Sequence, residues 1–248
     1  MFKKTALYAV GLLLLVVTLP AFSGQDAVIL QKVKAAEAGF RDMKADMVIS
    51  DPDKNNVKGM GEGYGDILKL QKATVCFKTP DRIRFDGYAK GIKVVYLQNG
   101  YTKLIAAAMI RQKKEVKNEP GQRQDTLDLG FLSSRLWTDN IVTVEKTERN
   151  GTVELKFKPK FGTRDKRCDL VWINPKSLRL EKREKYLGGG AMRASYTYGD
   201  YENVGKSLPI ACKLVMFDPK GGDLGTITYK NMVVNSGLSE TLFSLNQR

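Results

Sequence analysis

The 248-residue sequence contains no histidine and only three cysteines. Without an imidazole there is no Ser-His-Asp or Cys-His pair for nucleophilic catalysis and no histidine ligand for a metal. Cys76, Cys168 and Cys212 are too few and too widely spaced for a structural zinc site. The G-x-S-x-G, H-E-x-x-H and P-loop motifs are also missing. We therefore expect a protein that is not an enzyme and that needs no metal or cofactor.

One group of carboxylates offers an alternative to that expectation. Asp165, Asp169, Glu181 and Glu184 could supply the paired acids of a glycosidase. They alternate with arginines and lysines between residues 164 and 183, however, so ion pairs on surface strands explain them better.

Long apolar stretches are scarce, and the only one lies at the N-terminus. Residues 6–19 are apolar, follow Lys3 and Lys4, and precede Pro20 and a small-residue site ending at Ser23. This order predicts a secretory signal peptide of residues 1–23, cleaved after Ser23, because the apolar run is too short to cross a bilayer comfortably. We expect the mature chain, 24–248, to be one domain located in the periplasm.

The sequence has a strong excess of basic residues. There are 41 Lys and Arg against 27 Asp and Glu, and removal of residues 1–23 takes away only two lysines. The segment from Lys146 to Lys185 holds 13 basic and 6 acidic residues. A solvated sheet face is the simpler interpretation, and attraction to an anionic membrane surface or an acidic protein is the functional one. Nucleic acid is not expected as a partner of an exported protein.

The mature chain begins with a helical pattern and continues with strands. Ile29, Val33, Ala36 and Phe40 recur at helical spacing over 26–40, with Gly39 near the end. About eleven strands are expected after it, with the clearest alternation at 153–158. Asn99-Gly100 and Asn150-Gly151 predict type I′ hairpins, so the strands form an antiparallel meander that must curl to bury one face.

Residues 113–140 interrupt the alternation. We expect a polar loop at 113–121 and a short helix at 126–137. Leu129, Leu132 and Leu136 would share one face of that helix, whereas Leu127 and Phe131 would lie nearly opposite. A helix that is apolar on two sides needs two apolar neighbours.

Seven successive apolar residues, 104–110, lie within the predicted strand 101–112. A strand of this kind should be covered on both faces. Its alanines leave space that would suit either an acyl chain or close packing of a helix.

The order of elements resembles the LolA-like outer-membrane lipoprotein-sorting proteins and their lipid-binding relatives. The matching features are the helix at 26–40, the strand at 41–50, the Gly-rich segment 59–64, the Lys78-Thr79-Pro80 step, the hairpin at 94–101 and the Phe-containing segment 242–245. The resemblance covers nearly all of 26–248. One departure is Thr79, because carriers of the best-known type place a lid-holding arginine there; Arg82 or Arg84 could replace it.

The resemblance implies a mainly β (α+β) fold, an unclosed antiparallel β-barrel whose concave side forms a hydrophobic cavity under a helical lid. It also implies a periplasmic carrier that binds acyl chains of lipoproteins or lipids in this cavity, moves them toward the outer membrane and contacts inner- and outer-membrane partner proteins. The alternative is an RseB-like sensor that binds a membrane protein. The expected cavity and lid residues are Ile83, Phe85, Val95, Leu97, Ile105, Ala107, Met109, Leu129, Leu132, Leu136 and Trp137.

For the cysteines two states remain open. Cys168 and Cys212 could form a disulfide in an oxidising compartment, or all three could be buried thiols.

Overall fold

The computed structural model describes residues 24–50, 70, 72–162 and 166–246. Within these residues, two α-helices, α1 (Gly24–Glu37) and α2 (Arg135–Asp139), accompany thirteen strands. The strands are β1 Asp42–Ser50, β2 Lys72–Lys78, β3 Arg82–Ala89, β4 Ile92–Asn99, β5 Thr102–Ala107, β6 Ile110–Glu115, β7 Asn140–Thr147, β8 Val153–Pro159, β9 Cys168–Ile173, β10 Leu180–Tyr186, β11 Met192–Val204, β12 Leu208–Phe217 and β13 Asp223–Val234. Short 3₁₀ turns lie at Pro120–Gln122 and Glu240–Phe243.

All thirteen strands form one antiparallel sheet in the order β6-β5-β4-β3-β2-β1-β13-β12-β11-β10-β9-β8-β7. Strands β6 and β7 are its two free edges, so the sheet does not close. Inward side chains from both halves, such as Phe85 on β3 and Leu155 on β8, meet in one buried cluster. The sheet therefore curls around a common core, which confirms the predicted unclosed antiparallel barrel.

The described residues contain thirteen strands rather than about eleven, and one of the additional strands arises because the predicted strand 101–112 is two strands. The chain reverses at Ala108 and Met109, where Ala107 pairs with Ile110. Residues 113–115, expected in a loop, belong to β6. The apolar run 104–110 thus includes the turn between β5 and β6. The expectation that both faces of this run are covered is wrong, because Met109 is fully exposed.

The first helix agrees with its sequence pattern. Ile29, Val33 and Ala36 are buried on the face of α1 that joins the sheet core, and Phe40 is buried just beyond the helix. Gly39 has a φ of +85°, a conformation that suits glycine just past a helix end.

The hairpins are confirmed, but their turn types differ from the prediction. Gly100, with a φ of +60°, is the first central turn residue, and Asn99 remains in β4, which is a type II′ arrangement. Gly151 has positive φ but Asn150 does not. The type I′ pattern, two successive positive φ values, occurs at Lys90 and Gly91 (+51° and +78°).

The predicted helix at 126–137 is wrong: residues 126–130 form turns, and only Arg135–Asp139 is helical. The Asp125 carboxylate accepts hydrogen bonds from the backbone N–H groups of Leu127 and Asp128, at 2.9 and 3.2 Å, which holds the chain in a turn. Gly130 then adopts a φ of +87° against the backbone of Ala211, which ends any helical path.

A second, smaller core lies on the convex face of the sheet. Phe243, from the C-terminal 3₁₀ turn, packs there with Cys76, Leu97 and Leu104. Arg84 donates to the carbonyl of Leu242 at 2.8 Å and fastens this segment to β3.

All three cysteines are free, so the Cys168–Cys212 disulfide is not formed. The two residues lie on β9 and β12, which β10 and β11 separate. Cys76 and Cys212 are buried and Cys168 is half-buried. The predicted signal peptide, residues 1–23, lies outside the described residues, among which no helix has the length and apolar character needed to traverse a bilayer.

Candidate functional site

The concave side of the sheet is occupied by residues 120–139, which we call the plug. Five of its apolar side chains are buried within the main core: Leu127, Leu129, Phe131, Leu132 and Leu136. The plug thus takes the place that the sequence assigned to a helical lid, but it does so mostly as turns. Trp137 is partly buried and packs edge-on against Phe157 of β8 at 5.5 Å between ring centroids.

Three phenylalanines join the plug to the sheet and to α1. Phe131 packs edge-on against Phe77 at 5.3 Å and against Phe40 at 5.8 Å between ring centroids, and Phe40 stacks on Phe77 at 5.8 Å. Aromatic pairs of this geometry contribute beyond the area that they bury. A groove of about 320 Å³ lies beside them, with Lys34, Glu37 and Arg135 among its polar lining residues.

A buried arginine binds the plug to the far half of the sheet. Arg183 on β10 is only 1% exposed, and its guanidinium donates to Asp128 at 2.8 Å, Asp169 at 2.9 Å and Asp125 at 3.3 Å. Burial alone would lower the pKa of Arg183, but the three carboxylates raise it well above the ordinary value. Burial raises the pKa of Asp125. The pKa of Asp128 is lowered despite burial because Lys185 and Arg183 face it.

A second polar cluster holds the other end of the plug. Asp139 accepts hydrogen bonds from Tyr101 at 2.9 Å, Arg123 at 2.7 Å and Arg135 at 3.1 Å. Burial alone would raise the pKa of Asp139, but these donors outweigh it and hold the pKa below its usual range. Arg135 also forms an ion pair with Asp81, at 3.1 Å, in the β2–β3 turn.

Further hydrogen bonds connect the middle of the plug to both halves of the sheet. The Gln98 amide and the backbone of Gln124 exchange two bonds of 2.9 and 3.0 Å. On the other side, the Ala211 N–H donates to the carbonyl of Gly130 at 2.9 Å. The Glu37 carboxylate of α1 accepts from the N–H of Ser134 at 3.0 Å. The plug is therefore held by polar contacts along its length and by apolar packing against the main core.

One part of the concave wall is not buried. Alternation and register place six apolar side chains of β4, β5 and β6 on the same concave face as Phe85. Val94, Tyr96, Ile105 and Ala107 are half-buried, and Ile92 and Ile110 are 49% and 61% exposed. We call this set, Ile92, Val94, Tyr96, Ile105, Ala107 and Ile110, the open strip.

The structure separates the predicted site residues into three groups. Ile83 and Phe85 line the buried concave wall, Ile105 and Ala107 lie in the open strip, and Leu129, Leu132, Leu136 and Trp137 belong to the plug. Tyr96, which pairs with Phe85 on one side and with Ile105 on the other, also lies on the concave face but was not among the predicted site residues.

Three predicted positions lie elsewhere. Val95 and Leu97 point to the convex face, because they alternate with the inward Tyr96; Leu97 packs under Phe243. Met109 is fully exposed at the β5–β6 turn.

Neither Arg82 nor Arg84 takes the place of the lid-holding arginine whose position is occupied by Thr79 in this chain. Arg82 pairs with Glu240 and Arg84 with Asp86, both on the convex face with Leu97. The contact between plug and β2–β3 turn runs instead from Arg135 of the plug to Asp81 of the sheet.

A cavity of about 80 Å³ lies beneath the plug, with charged groups such as Asp81, Arg123 and Asp139 in its lining. Pockets for organic ligands usually measure roughly 300–1,000 Å³. This cavity is too small for an acyl chain. The open strip and the groove beside Phe131 are the larger apolar surfaces on this side of the sheet.

The carboxylates considered for catalysis are used in other contacts. Asp169 binds Arg183, Glu184 pairs with Lys182 at 2.6 Å, and Glu181 accepts from Thr152 at 3.0 Å; Asp165 lies outside the described residues. Arg183, counted in the basic segment 146–185, is buried and contributes nothing to a basic surface. No group of three or more acidic or cysteine side chains is arranged to hold a metal ion in the described ranges.

No family model and no curated protein sequence matches the chain. Similar solved structures include an outer membrane lipoprotein-sorting protein domain from Vibrio parahaemolyticus, with 16% identity, a TM-score of 0.59 and coverage of 88% of this chain and 95% of that one. A LolA superfamily protein from Nitrosomonas europaea has 16% identity and a TM-score of 0.60 over 88% and 96% of the two chains. A DUF1329 family protein from Desulfovibrio piger has 13% identity and a TM-score of 0.60 over 89% and 97%. These likenesses extend over nearly the whole described chain and show that it has the LolA-like fold.

Proposed function

We propose that this protein is a periplasmic carrier that binds acyl chains of lipids or lipoproteins against the open strip on the concave face of β4–β6. The observation that carries the proposal is the strip itself, a set of six apolar side chains left half-buried or exposed on the inner wall of an otherwise filled barrel. An exposed apolar surface of this kind usually marks a site where a ligand or partner binds. The fold, shared with a lipoprotein-sorting domain, supports the same function.

The plug gives the proposed site a means of adjusting affinity. Each methylene that moves from water to an apolar surface contributes about 0.8 kcal/mol. A chain bound along the strip can gain more contact only by displacing plug side chains such as Leu132 and Leu136, which are already buried. The free energy of that displacement offsets part of the gain, so cargo is bound reversibly and can be handed on.

The polar contacts of the plug make such a displacement stepwise. The Asp139 cluster lies at the end of the plug that touches the β4–β5 turn through Tyr101, close to the strip-bearing strands. The Arg183 cluster lies on the opposite half of the sheet, and the Arg183 side chain is 1% exposed. We expect the Asp139 end to open first, because the side chains of its arginines, Arg123 and Arg135, are 11% and 25% exposed.

The test is uptake of a fluorescent fatty-acyl probe by the full mature chain. Ala107→Trp fills the strip and is expected to weaken probe binding about tenfold or more, since it occupies surface that the acyl chain needs. Ala106→Trp is the matched control, because Ala106 is the neighbouring half-buried alanine on the convex face. Equal weakening by the two substitutions, or none by either, would contradict binding at the strip.

A second measurement addresses the identity of the cargo. Native mass spectrometry of protein purified from its own periplasm should show bound lipid or lipoprotein. A stoichiometric protein partner without lipid would instead favour the RseB-like sensor.

A further inference from the structure

Two neighbouring hairpin tips carry the most exposed apolar side chains of the described β2–β6 half. Tyr88 and Ile92 lie on either side of the β3–β4 turn and are 60% and 49% exposed. Met109, in the β5–β6 turn, and Ile110, the first residue of β6, are 100% and 61% exposed. We call residues 88–93 and 108–111 the hairpin tips. Large apolar side chains grouped on a surface in this way usually mark a contact with a partner or a membrane.

The register of the sheet puts the two tips side by side. Val94 pairs with Ala107 across β4 and β5, so Ile92 comes level with Met109 at the same end of the sheet. Neighbouring strands are about 4.8 Å apart, and the two tips therefore form one surface.

The same tips carry positive charge and almost no negative charge. Lys90, Lys93 and Arg111 are exposed within them. The only acidic residue between positions 82 and 114 is Asp86, and Arg84 binds it through two nitrogens. Among the described residues of the two tips, the exposed charges that accompany the apolar side chains are therefore all positive.

We propose that the hairpin tips dock on the surface of an anionic lipid bilayer. Apolar side chains on narrow protrusions can enter the boundary between head groups and acyl chains, while nearby lysines and arginines meet the anionic head groups. Tyrosine is a residue that favours this boundary. The chemistry fits a bilayer better than a protein partner, because the apolar side chains project from two turns and do not form a flat face.

The docking surface is continuous with the open strip. Ile92 and Ile110 belong to both, at the end of the strip that reaches the turns. An acyl chain that leaves a bilayer at this point would move onto the strip without crossing water. This consequence rests on the proposed function, whereas docking itself does not require that the strip binds cargo.

The experiment is co-sedimentation of the mature protein with vesicles of phosphatidylglycerol and phosphatidylcholine, compared with vesicles of phosphatidylcholine alone. The wild type is expected to bind the anionic vesicles and to be released by salt. Met109→Glu should weaken this binding about tenfold or more, since it removes the side chain with most apolar surface to bury. The control is Ile141→Glu, which changes an isoleucine that is 54% exposed on β7 at the other edge of the sheet.

Removal of the charges provides an independent variant. Lys90→Gln and Lys93→Gln should each weaken binding to anionic vesicles about fivefold, and neither is in the strip. Wild-type protein that ignores anionic vesicles, or Met109→Glu and Ile141→Glu proteins that bind alike, would overturn the proposal. The proposal would also be overturned if the wild type bound a periplasmic protein but no vesicles, and if Met109→Glu abolished binding of that protein.

The two proposals fail separately. Met109→Glu should leave uptake of a dispersed acyl probe unchanged, and Ala107→Trp should leave vesicle binding unchanged. Vesicle binding without probe uptake would support docking and reject the carrier function, and the reverse result would reject docking alone.

Discussion

The concave walls of the two halves of the sheet have the same alternating pattern but different neighbours. On β8 to β10 the inward residues Val153, Leu155, Val171 and Leu180 are at most 1% exposed. On β4 to β6 the corresponding residues of the open strip range from half-buried to 61% exposed. The plug and α1, which contacts β7 and β12, together cover the first half, whereas part of the second half stays open.

Polar contacts explain the asymmetry. The plug is drawn to β10 by Arg183, whereas its contact with β4 is the Gln98–Gln124 pair near the opposite end from the hairpin tips. A segment fixed at these points cannot also cover Ile92 and Ile110. Buried polar contacts therefore contribute, together with α1, to the choice of the part of the apolar wall that is covered.

The largest expected effect comes from breaking the contact on the covered half. Arg183→Met leaves the carboxylates of Asp125, Asp128 and Asp169 without their main partner, and should lower the free energy of unfolding by about 3–5 kcal/mol. Chemical denaturation measures it. Lys182→Met is the control on the same strand, and we expect a change within about 0.5 kcal/mol there. A small effect of Arg183→Met would mean that the plug does not depend on this cluster.

An intermediate effect distinguishes the two faces of the open half. Leu97→Ala creates a cavity in the convex core under Phe243 and should cost about 2–5 kcal/mol of stability, with acyl-probe uptake unchanged. Ile105→Ala, on the concave strip, should cost less stability because Ile105 is only half-buried, and should weaken uptake. If Leu97→Ala folds normally but loses uptake, the assignment of faces is wrong.

The smallest effect concerns the Asp139 end of the plug. Asp139→Asn replaces an ionised acceptor of three hydrogen bonds and should cost about 1–3 kcal/mol at pH 7. Because the folded-state pKa of Asp139 lies below its usual range, its contribution is present above the unfolded-state pKa of about 4 and is lost as pH falls through the folded-state value.

Denaturation between pH 3 and pH 7 measures this dependence. The unfolding free energy of the wild type should fall more steeply toward acid pH than that of Asp139→Asn. Parallel curves would show that Asp139 carries no pH-dependent stabilisation of the plug.

Much of the fold could be predicted from local pattern. The buried face of α1, the antiparallel hairpins and the unclosed sheet all follow from periodicity and turn residues, which depend on neighbours along the chain. The strand break at Ala108 could not be seen, because no glycine or proline marks the turn and Ala108 adopts a φ of +48°. The pattern of apolar and polar side chains also gave no indication of a turn at this position.

The candidate site was predictable only in part. Ile83, Phe85, Ile105 and Ala107 lie on the concave wall, since alternation fixes which residues of a strand share a face. Which face of a strand becomes concave depends on how the remaining strands pack. The sequence alone therefore could not show that Leu97 lies on the convex face. The interruption of the strand pattern marked the segment that forms the plug. The helix expected at 126–137 did not form, because Asp125 and Gly130 hold this part of the chain in turns.

The sequence by itself determined an antiparallel β-rich chain, a helix with one apolar face, and a segment that interrupts the sheet with apolar side chains in several directions. Tertiary structure alone decided that Arg183 is buried among three aspartates and not on a basic surface, that Leu97 faces away from Phe85, and that Ile92 and Ile110 stay uncovered. The physical reason is that periodicity sets the direction of a side chain relative to its neighbours in sequence. Burial and charge pairing depend on residues tens of positions away, which meet only when the sheet curls.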